Sequence, residues 1–447
     1  MTRRVILVGM NWTRDKDPRI PLGHASILAA LESSPGLEVR SVVVAVNAGD
    51  ARPASLAASI LAETSGLASA EVDVAFGAYV WNEPLLRDTL AALRRRGFAG
   101  RIVLGGPQIS YAGSGLEAIY PEADAFVRGY GEEALVALAS TSEPSVIPGV
   151  HWAHTRDLES HASVDLEHLA SPWLSGLIPL VDQGFVRWET QRGCPFRCSF
   201  CQHREPGARL RRRELGMPRI EAEIDLFCEH GVADIAVLDP VFNMAPHATA
   251  VLERFAERGF KGRLSLQCRP EAIDDTFLEA ASALRVRLEF GLQTIHRDEG
   301  RAVRRLNDVE KVDRVLAAVR RLGIDHEVSL IFGLPLQTLA SFEASVRWCL
   351  ERGVPVIKAF PLLLLRGTEL ERDRDRWGFV DAGGDMPMVV ASSTFDRDDW
   401  WAMARIAEAL RLTEGHHPTS FAALERLAAE TEPSLPRWQP DSTQEAA

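Results

Sequence analysis

Cysteine is scarce in this chain. There are six in 447 residues, and three of them, Cys194, Cys198 and Cys201, sit in one short stretch, QRGCPFRCSFCQHR. Long apolar runs are absent as well. No segment approaches the ~20 continuous apolar residues of a membrane span, which excludes a spanning helix. The run Val5–Met10 behind the opening MTRR is shorter than the core of a signal peptide. A cytoplasmic protein without membrane association is therefore expected, and in that compartment structural disulfides are uncommon, which sets aside a disulfide among the clustered cysteines. Positive charge is also in deficit, with 50 Lys and Arg against 62 Asp and Glu and a net charge of −12. A broad nucleic-acid surface needs clustered cations, so none is expected. The one basic run, ARLRRRELG at Ala208–Gly216, reads as a solvated helix start.

What is present is an ordinary globular composition, 46% hydrophobic and 25% charged, in a chain too long for one typical core. Short buried runs alternate with helical patterns through the first part. VILVGM, VRSVVVAV, VDVAFGAYV, RIVLGG and ADAFVRG read as strands; HASILAALESS and EPLLRDTLAALRRRG, the latter stopped by Gly97, read as helices. The alternation predicts a doubly wound parallel sheet, whose ligands lie beyond the carboxyl ends of the strands. Four stretches follow strands directly: Asn11-Trp12, Tyr79-Val80-Trp81-Asn82, Gly105-Gly106-Pro107-Gln108 and Gly129-Tyr130-Gly131-Glu132. Glycines there let backbone amides approach a ligand, and four such loops on one edge predict a binding site.

From Ser140 to Asp182 the pattern breaks into a linker, and its histidines, His151, His154, His161 and His168, share no metal-ligand spacing and read as surface residues. A second alternation follows, with strands FVRWETQ, ADIAVLD, LSLQCR, VRLEFGLQ, EVSLIFGLP and VIKAFPLLLL. Six strand–helix units predict a partial α/β barrel with its site at the carboxyl ends of the strands. Strand alternation puts Gln267 with Arg269, Glu289 with Gly291 and Gln293, and Glu189 with Gln191 on shared faces, which suits a polar ligand better than a dry core. Cys228, Cys268 and Cys349 read as buried small hydrophobes. After Leu370 comes a shorter, mainly helical segment including a helix from Asp396, and a tail expected to be disordered.

The three clustered cysteines leave two readings open. With His203 they make a Cys3His zinc set. Alternatively, they hold three irons of a cubane and leave the fourth open to chelation by a substrate's amino and carboxylate groups.

CPFRCSFC matches the CxxxCxxC signature of the radical S-adenosylmethionine superfamily. LDPVFN (Leu238–Asn243), FGLQT (Phe290–Thr294), LIFGLPLQT (Leu330–Thr338) and LLRGTEL (Leu364–Leu370) stand in the order of its cobalamin-dependent branch. PLG (Pro21–Gly23), GGPQIS (Gly105–Ser110) and VRGYGEEAL (Val127–Leu135) resemble the cobalamin-binding domain of that branch. The likeness runs from about Val5 to about Trp401. It implies a Rossmann-like cobalamin-binding domain over 1–139, a linker over 140–182, a partial (β/α)6 barrel over 183–370, a C-terminal segment over 371–430 and a tail over 431–447.

The same resemblance implies that Cys194, Cys198 and Cys201 ligate a [4Fe–4S] cluster. S-adenosylmethionine would meet Phe200, Gln293, Gly333, Arg269 and Glu289. Cobalamin would lie over Asn11, Trp12, Tyr79, Trp81, Asn82, Gly105, Gly106, Pro107, Gln108, Gly129, Tyr130, Gly131 and Glu132. No Asp-x-His-x-x-Gly motif is present, and His24 lies at a helix start, so no His ligand to cobalt is expected from this domain. Two departures from the branch stand out: the acidic motif reads DPVFN around Asp239, and RGTEL has Arg366 where proline is common.

The implied activity is C-methylation of an unactivated carbon in a natural-product intermediate or peptide, through reductive cleavage of S-adenosylmethionine and methyl transfer from methylcobalamin. Electrons would come from a donor such as a flavodoxin or ferredoxin. The alternatives are a non-methylating cobalamin-dependent radical enzyme, for example one catalysing a ring contraction or oxidative cyclisation, and a zinc- or cobalamin-binding regulatory protein.

Overall fold

The computed structural model describes residues 3–49, 51–203, 213–384 and 386–434. Most of the basic run at 208–216 and nearly all of the tail lie outside the described residues. The chain forms two compact units interleaved in sequence. One comprises Met1–Pro195, Gln202–Asp239 and Glu253–Gly262; the other comprises Phe196–Cys201, Pro240–Leu252 and Arg263–Ala447.

The first unit holds a six-stranded sheet of β1 (Arg3–Asn11), β2 (Leu37–Ala45), β3 (Val72–Gly77), β4 (Arg101–Gly105), β5 (Ala125–Val127) and β6 (Val150–Trp152), in the order β2-β1-β3-β4-β5-β6. Five strands are parallel; β6 joins β5 antiparallel. Parallel strands covered on both faces need apolar residues at every position, and β1 supplies them. Ile6, Val8 and Met10 pack on one side with Leu56, Ile60, Leu86 and Leu90, while Val5 and Leu7 pack on the other with Leu28, Leu31, Leu135 and Leu138. Strand β6 falls within the stretch expected as a linker. It brings His151 into the core, where the ring stacks on Phe126 at 5.7 Å and Nε2 lies 2.7 Å from Glu117 Oε1. The surface reading of His151 is thereby corrected: edge pairing with Phe126 turns it inward. His161 is half-buried against the Ser110 carbonyl at 2.8 Å, and His154 and His168 are exposed.

His24, in the first turn of the helix Leu22–Glu32, is buried, with Nε2 2.8 Å from Ser41 Oγ. Burial lowers its pKa to about 4 from an ordinary 6.5. A depressed histidine favours the fold while neutral, so its contribution is complete above pH 6.5 and is lost as pH falls toward 4. Urea titrations at pH 7 and pH 4 should differ by ~3 kcal/mol more in the wild type than in His24→Gln.

Still in the first unit, β7 (Phe185–Trp188) is followed by a short antiparallel ladder, β8 (Gln191–Arg192) with β9 (Arg213–Glu214), and β10 (Asp234–Val237) runs parallel to β7. In the second unit β11 (Arg263–Cys268), β12 (Arg285–Gln293), β13 (Asp325–Phe332) and β14 (Val356–Pro361) are parallel neighbours in that order. The expected alternation is present. Leu264, Leu266 and Cys268 on β11, and Val286, Leu288, Phe290 and Leu292 on β12, are buried. Gln267, Glu289, Gly291 and Gln293, on the opposite face, are half-buried. Cys268 and Cys349 are buried as expected, but Cys228 is only half-buried, because its helix Met217–Glu229 turns Ile220, Ile224 and Phe227 inward instead. Among the described residues no helix is long and apolar enough to cross a membrane.

Candidate functional site

In the first sheet the strand order reverses between β1 and β3, and a ligand crevice opens at such a switch point. Asn11 ends β1, and its buried Nδ2 has no hydrogen-bond partner among the described residues. Asn82 is fully buried. Its Nδ2 donates to the carbonyls of Met10 (3.0 Å) and Gly77 (2.9 Å), and its Oδ1 accepts from the Tyr79 N–H at 2.8 Å. Asn82 therefore ties the ends of β1 and β3 together and shapes the loop above them. On that loop Tyr79 and Trp81 stack with ring centroids 4.6 Å apart, and Trp81 and Trp12 are 39% and 61% exposed. Indole rings left open beside a switch point offer a flat apolar surface to a large planar ligand. Gly105 pairs with Gly77, and Gly106 turns at φ 92°, where a Cβ would lie 2.8 Å from the Ala78 carbonyl. Pro107 begins a one-turn helix, and Gln108 is buried with its amide on Glu83, which also accepts from the Tyr120 hydroxyl at 2.7 Å.

The fourth loop, Gly129–Glu132, is occupied differently. Gly129 (φ 81°) bridges Ala162, and Glu132 is buried against Arg192 Nη1 at 2.7 Å and Ser26 Oγ at 2.9 Å. Arg192 also pairs with Glu189 at 2.7 Å, and these carboxylates raise its pKa against the opposing effect of burial. Just before it, Asp239 closes the β7 end. Its Oδ1 accepts from the N–H groups of Thr190 (2.8 Å) and Gln191 (3.2 Å), and its Oδ2 meets the Thr190 hydroxyl at 2.5 Å. Burial pushes the Asp239 carboxyl up to about 7 despite those donors. Asp239 is thus turned into the β7 loop, in keeping with the departure noted in its motif.

In the second unit the cysteine loop is anchored by backbone. Ser199 N–H donates to Val303 O at 3.0 Å, and the Ser199 carbonyl accepts from Leu370 N–H at 3.0 Å. Cys198 and Cys201 are half-buried, as is Cys194 in the first unit. Nη1 of Arg305 lies 3.7 Å from Cys198 Sγ, while its Nη2 is hydrogen-bonded to the Gly291 carbonyl. Nothing in the linear pattern singled out Arg305; the β12 end brings it to the loop. Burial lowers the pKa of His203. Phe200 is half-buried. Among the described residues no three His, Cys, Asp or Glu side chains are grouped to hold a metal ion.

Arg269 stands over the Phe196 ring at 4.0 Å and donates to Leu306 O at 2.9 Å, and Asn243 grips its backbone N–H and C=O at 2.9 and 3.0 Å. Its guanidinium thereby supports the cysteine loop. Gln293, at the β12 end, has φ 68° and a buried Oε1 with no hydrogen-bond partner among the described residues. It folds over Gly291, where a Cβ would come within 2.8 Å of Gln293 Nε2. Gly333 (φ 92°) donates its N–H to Gln337 Oε1 at 2.7 Å; Gln337 is a buried residue that the sequence reading left out. Glu289 is half-buried, and its carboxyl is pushed up by burial and by Glu327, which is itself paired with Lys358 at 2.7 Å.

Residues 188–349 match the Radical SAM superfamily. The chain is 26% identical over 377 residues to 2-(S-pantetheinyl)-carbapenam-3-carboxylate methyltransferase of Streptantibioticus cattleyicolor, covering 78% of this chain and 54% of that protein. It is 26% identical over 332 residues to the cobalamin-dependent radical SAM methyltransferase TokK of Streptomyces tokunonensis, covering 67% of this chain and 48% of the relative. The chain thus spans about half the length of these curated relatives. In fold it resembles the radical S-adenosylmethionine methyltransferase TsrM from Kitasatospora setae, solved with cobalamin and a [4Fe-4S] cluster bound, with a TM-score of 0.68 at 20% identity, over 90% of this chain and 81% of the other.

Proposed function

We propose methyl transfer to an unactivated carbon of a small natural-product intermediate for this chain, which belongs to the cobalamin-dependent radical S-adenosylmethionine enzymes. The observation that carries the proposal is the CPFRCSFC loop, with three half-buried cysteines and the Arg305 guanidinium beside Cys198. This donor set fits a [4Fe–4S] cluster held by Cys194, Cys198 and Cys201. Three thiolates leave one iron for S-adenosylmethionine, and the Arg305 guanidinium beside Cys198 offers a positive charge next to that ligand set. When bound, the cluster, S-adenosylmethionine and cobalamin supply reductive carbon–sulfur cleavage and the transferable methyl group, while the protein positions and shields the chemistry.

Phe200 would pack against adenine. Gln293 would offer its unpartnered carbonyl, and Gly333 the side-chain-free backbone that a close approach requires. Arg305 joins this set, whereas Arg269 acts through Phe196. Glu289, with its raised pKa, would present a polar wall inside the strands. The exposed Trp12 and the Tyr79–Trp81 stack would cover a corinoid face, with Asn11 and the Gly105–Gln108 turn at its edge. The named action of the first relative on a pantetheinyl-bearing carbapenam carboxylate supports a small carboxylate-bearing substrate here. A flavodoxin- or ferredoxin-type donor would supply the electrons, in a cytoplasmic setting.

The test is anaerobic reconstitution with the cluster and cobalamin, followed by turnover of carbapenam carboxylates with S-adenosylmethionine. The expected result is S-adenosylhomocysteine and a product heavier by one methylene. Formation of 5′-deoxyadenosine with a product of unchanged carbon count would reject methylation in favour of another radical outcome.

A further inference from the structure

We infer that the Gly129–Glu132 loop fastens the lead-in to Cys194, with Glu132 and Arg192 as positioning residues, in addition to any contact that loop makes with a corinoid. The inference rests on the reading of Cys194 as a cluster ligand. Four observations within the first unit carry it. Glu132 is buried, and its carboxylate is committed to Arg192 at 2.7 Å and Ser26 Oγ at 2.9 Å. Arg192 stands two residues before Cys194 and forks between Glu132 and Glu189, each at 2.7 Å, with Nη2 3.3 Å from Ser26 Oγ. The neighbouring Tyr130 ring has two guanidiniums at 5.3 Å, those of Arg192 and Arg213, which are direct partners in the β8–β9 ladder. Finally, Tyr111 of the turn after β4 contacts the carbonyl of Gln202, the residue after Cys201.

A planar guanidinium bridging two carboxylates fixes both position and orientation, unlike a flexible ammonium. Between Arg192 and Cys194 stands only Gly193, which has φ 85° and no side chain to hold the turn. The direction in which Cys194 leaves β8 is therefore set by what grips Arg192. The first sheet does this from the same short loop that ends with Glu132. A ligand that shifts Gly129–Glu132 would move Arg192 as well, so occupancy of the corinoid crevice should register at the cluster.

The test uses the full chain, reconstituted with limiting iron and sulfide, in the wild type, Glu132→Gln, Arg192→Lys and Ser26→Ala, with Cys194→Ala as control. Iron per chain and the electron paramagnetic resonance spectrum of the reduced cluster are read with and without hydroxocobalamin. The inference expects Glu132→Gln and Arg192→Lys to bind several-fold less iron than the wild type, with an altered spectrum and no further response to hydroxocobalamin. Ser26→Ala, which removes the two Ser26 hydrogen bonds and keeps the charges, should change in the same direction by less and remains informative if Glu132→Gln misfolds. A wild type that loads its cluster while Glu132→Gln matches it in iron, spectrum and hydroxocobalamin response overturns the inference. A wild type no better than Cys194→Ala overturns the cluster reading beneath it.

Discussion

Alanine at Cys198, and equally at Cys194 or Cys201, should give a folded protein that lacks the visible absorbance of an iron–sulfur cluster and cleaves no S-adenosylmethionine. Each thiolate would hold its own iron of the cubane, so losing one leaves two irons without protein ligands and removes the differentiated site that S-adenosylmethionine needs. Folding should survive, because the loop is anchored through its backbone. The Ser199 N–H to Val303 O and Leu370 N–H to Ser199 O bonds do not involve a thiol, and the cysteine side chains are only half-buried. Cys349→Ala offers the opposite pattern. That thiol is fully buried in the helix Leu339–Glu351, and burial raises its pKa to about 12, so it behaves as a small hydrophobe. Its loss should cost on the order of 1 kcal/mol of stability and leave the cluster intact. Iron and sulfide content beside a urea melt separates the two cases, and full iron in Cys198→Ala would remove the cluster assignment.

The second large effect concerns Asp239. Its carboxyl is fully buried, with a pKa raised to about 7 from an ordinary 3.8. A carboxyl raised on folding contributes stability that is complete below pH 3.8 and is lost as pH rises through 7. Ionising it should cost on the order of 4 kcal/mol by pH 8. Asparagine offers a close test. Its oxygen can accept from the N–H groups of Thr190 and Gln191, as Oδ1 does now, while its amide donates to the Thr190 hydroxyl where a protonated Oδ2 would. Asp239→Asn should exceed the wild type modestly at pH 5 and by about 3 kcal/mol more at pH 8, with a flatter stability profile between them. Asp239→Ala leaves the Thr190 and Gln191 N–H groups without that acceptor and should lose roughly 3 kcal/mol at pH 5, and much less at pH 8, where the wild type has itself lost stability to ionisation. A wild-type profile parallel to that of Asp239→Asn would show that the carboxyl ionises freely.

The parts of the site that were legible in the sequence are local. The CxxxCxxC spacing spans a single loop, and alternation along LEFGLQT assigned Glu289, Gly291 and Gln293 to one face because side chains alternate along a strand. Glycine at Gly106 and Gly129 marked backbone that needs a left-handed turn or a close approach. The residues read wrongly or passed over are those whose partners lie far along the chain. His151 looked exposed until β6 paired with β5, and Cys228 looked buried until its helix turned Phe227 inward.

By itself the sequence determined the α/β class, most of the strands along the chain and the cysteine loop, because these follow from short-range periodicity and spacing, while the chemistry of that loop came from its resemblance to a family. Only the tertiary structure decided that Arg305 stands at Cys198, that Asn82 knots β1 to β3, and that Glu132 answers Arg192. A buried charge takes whichever opposite charge the packing delivers, and desolvation leaves it little choice of partner. No periodicity in the chain records that choice.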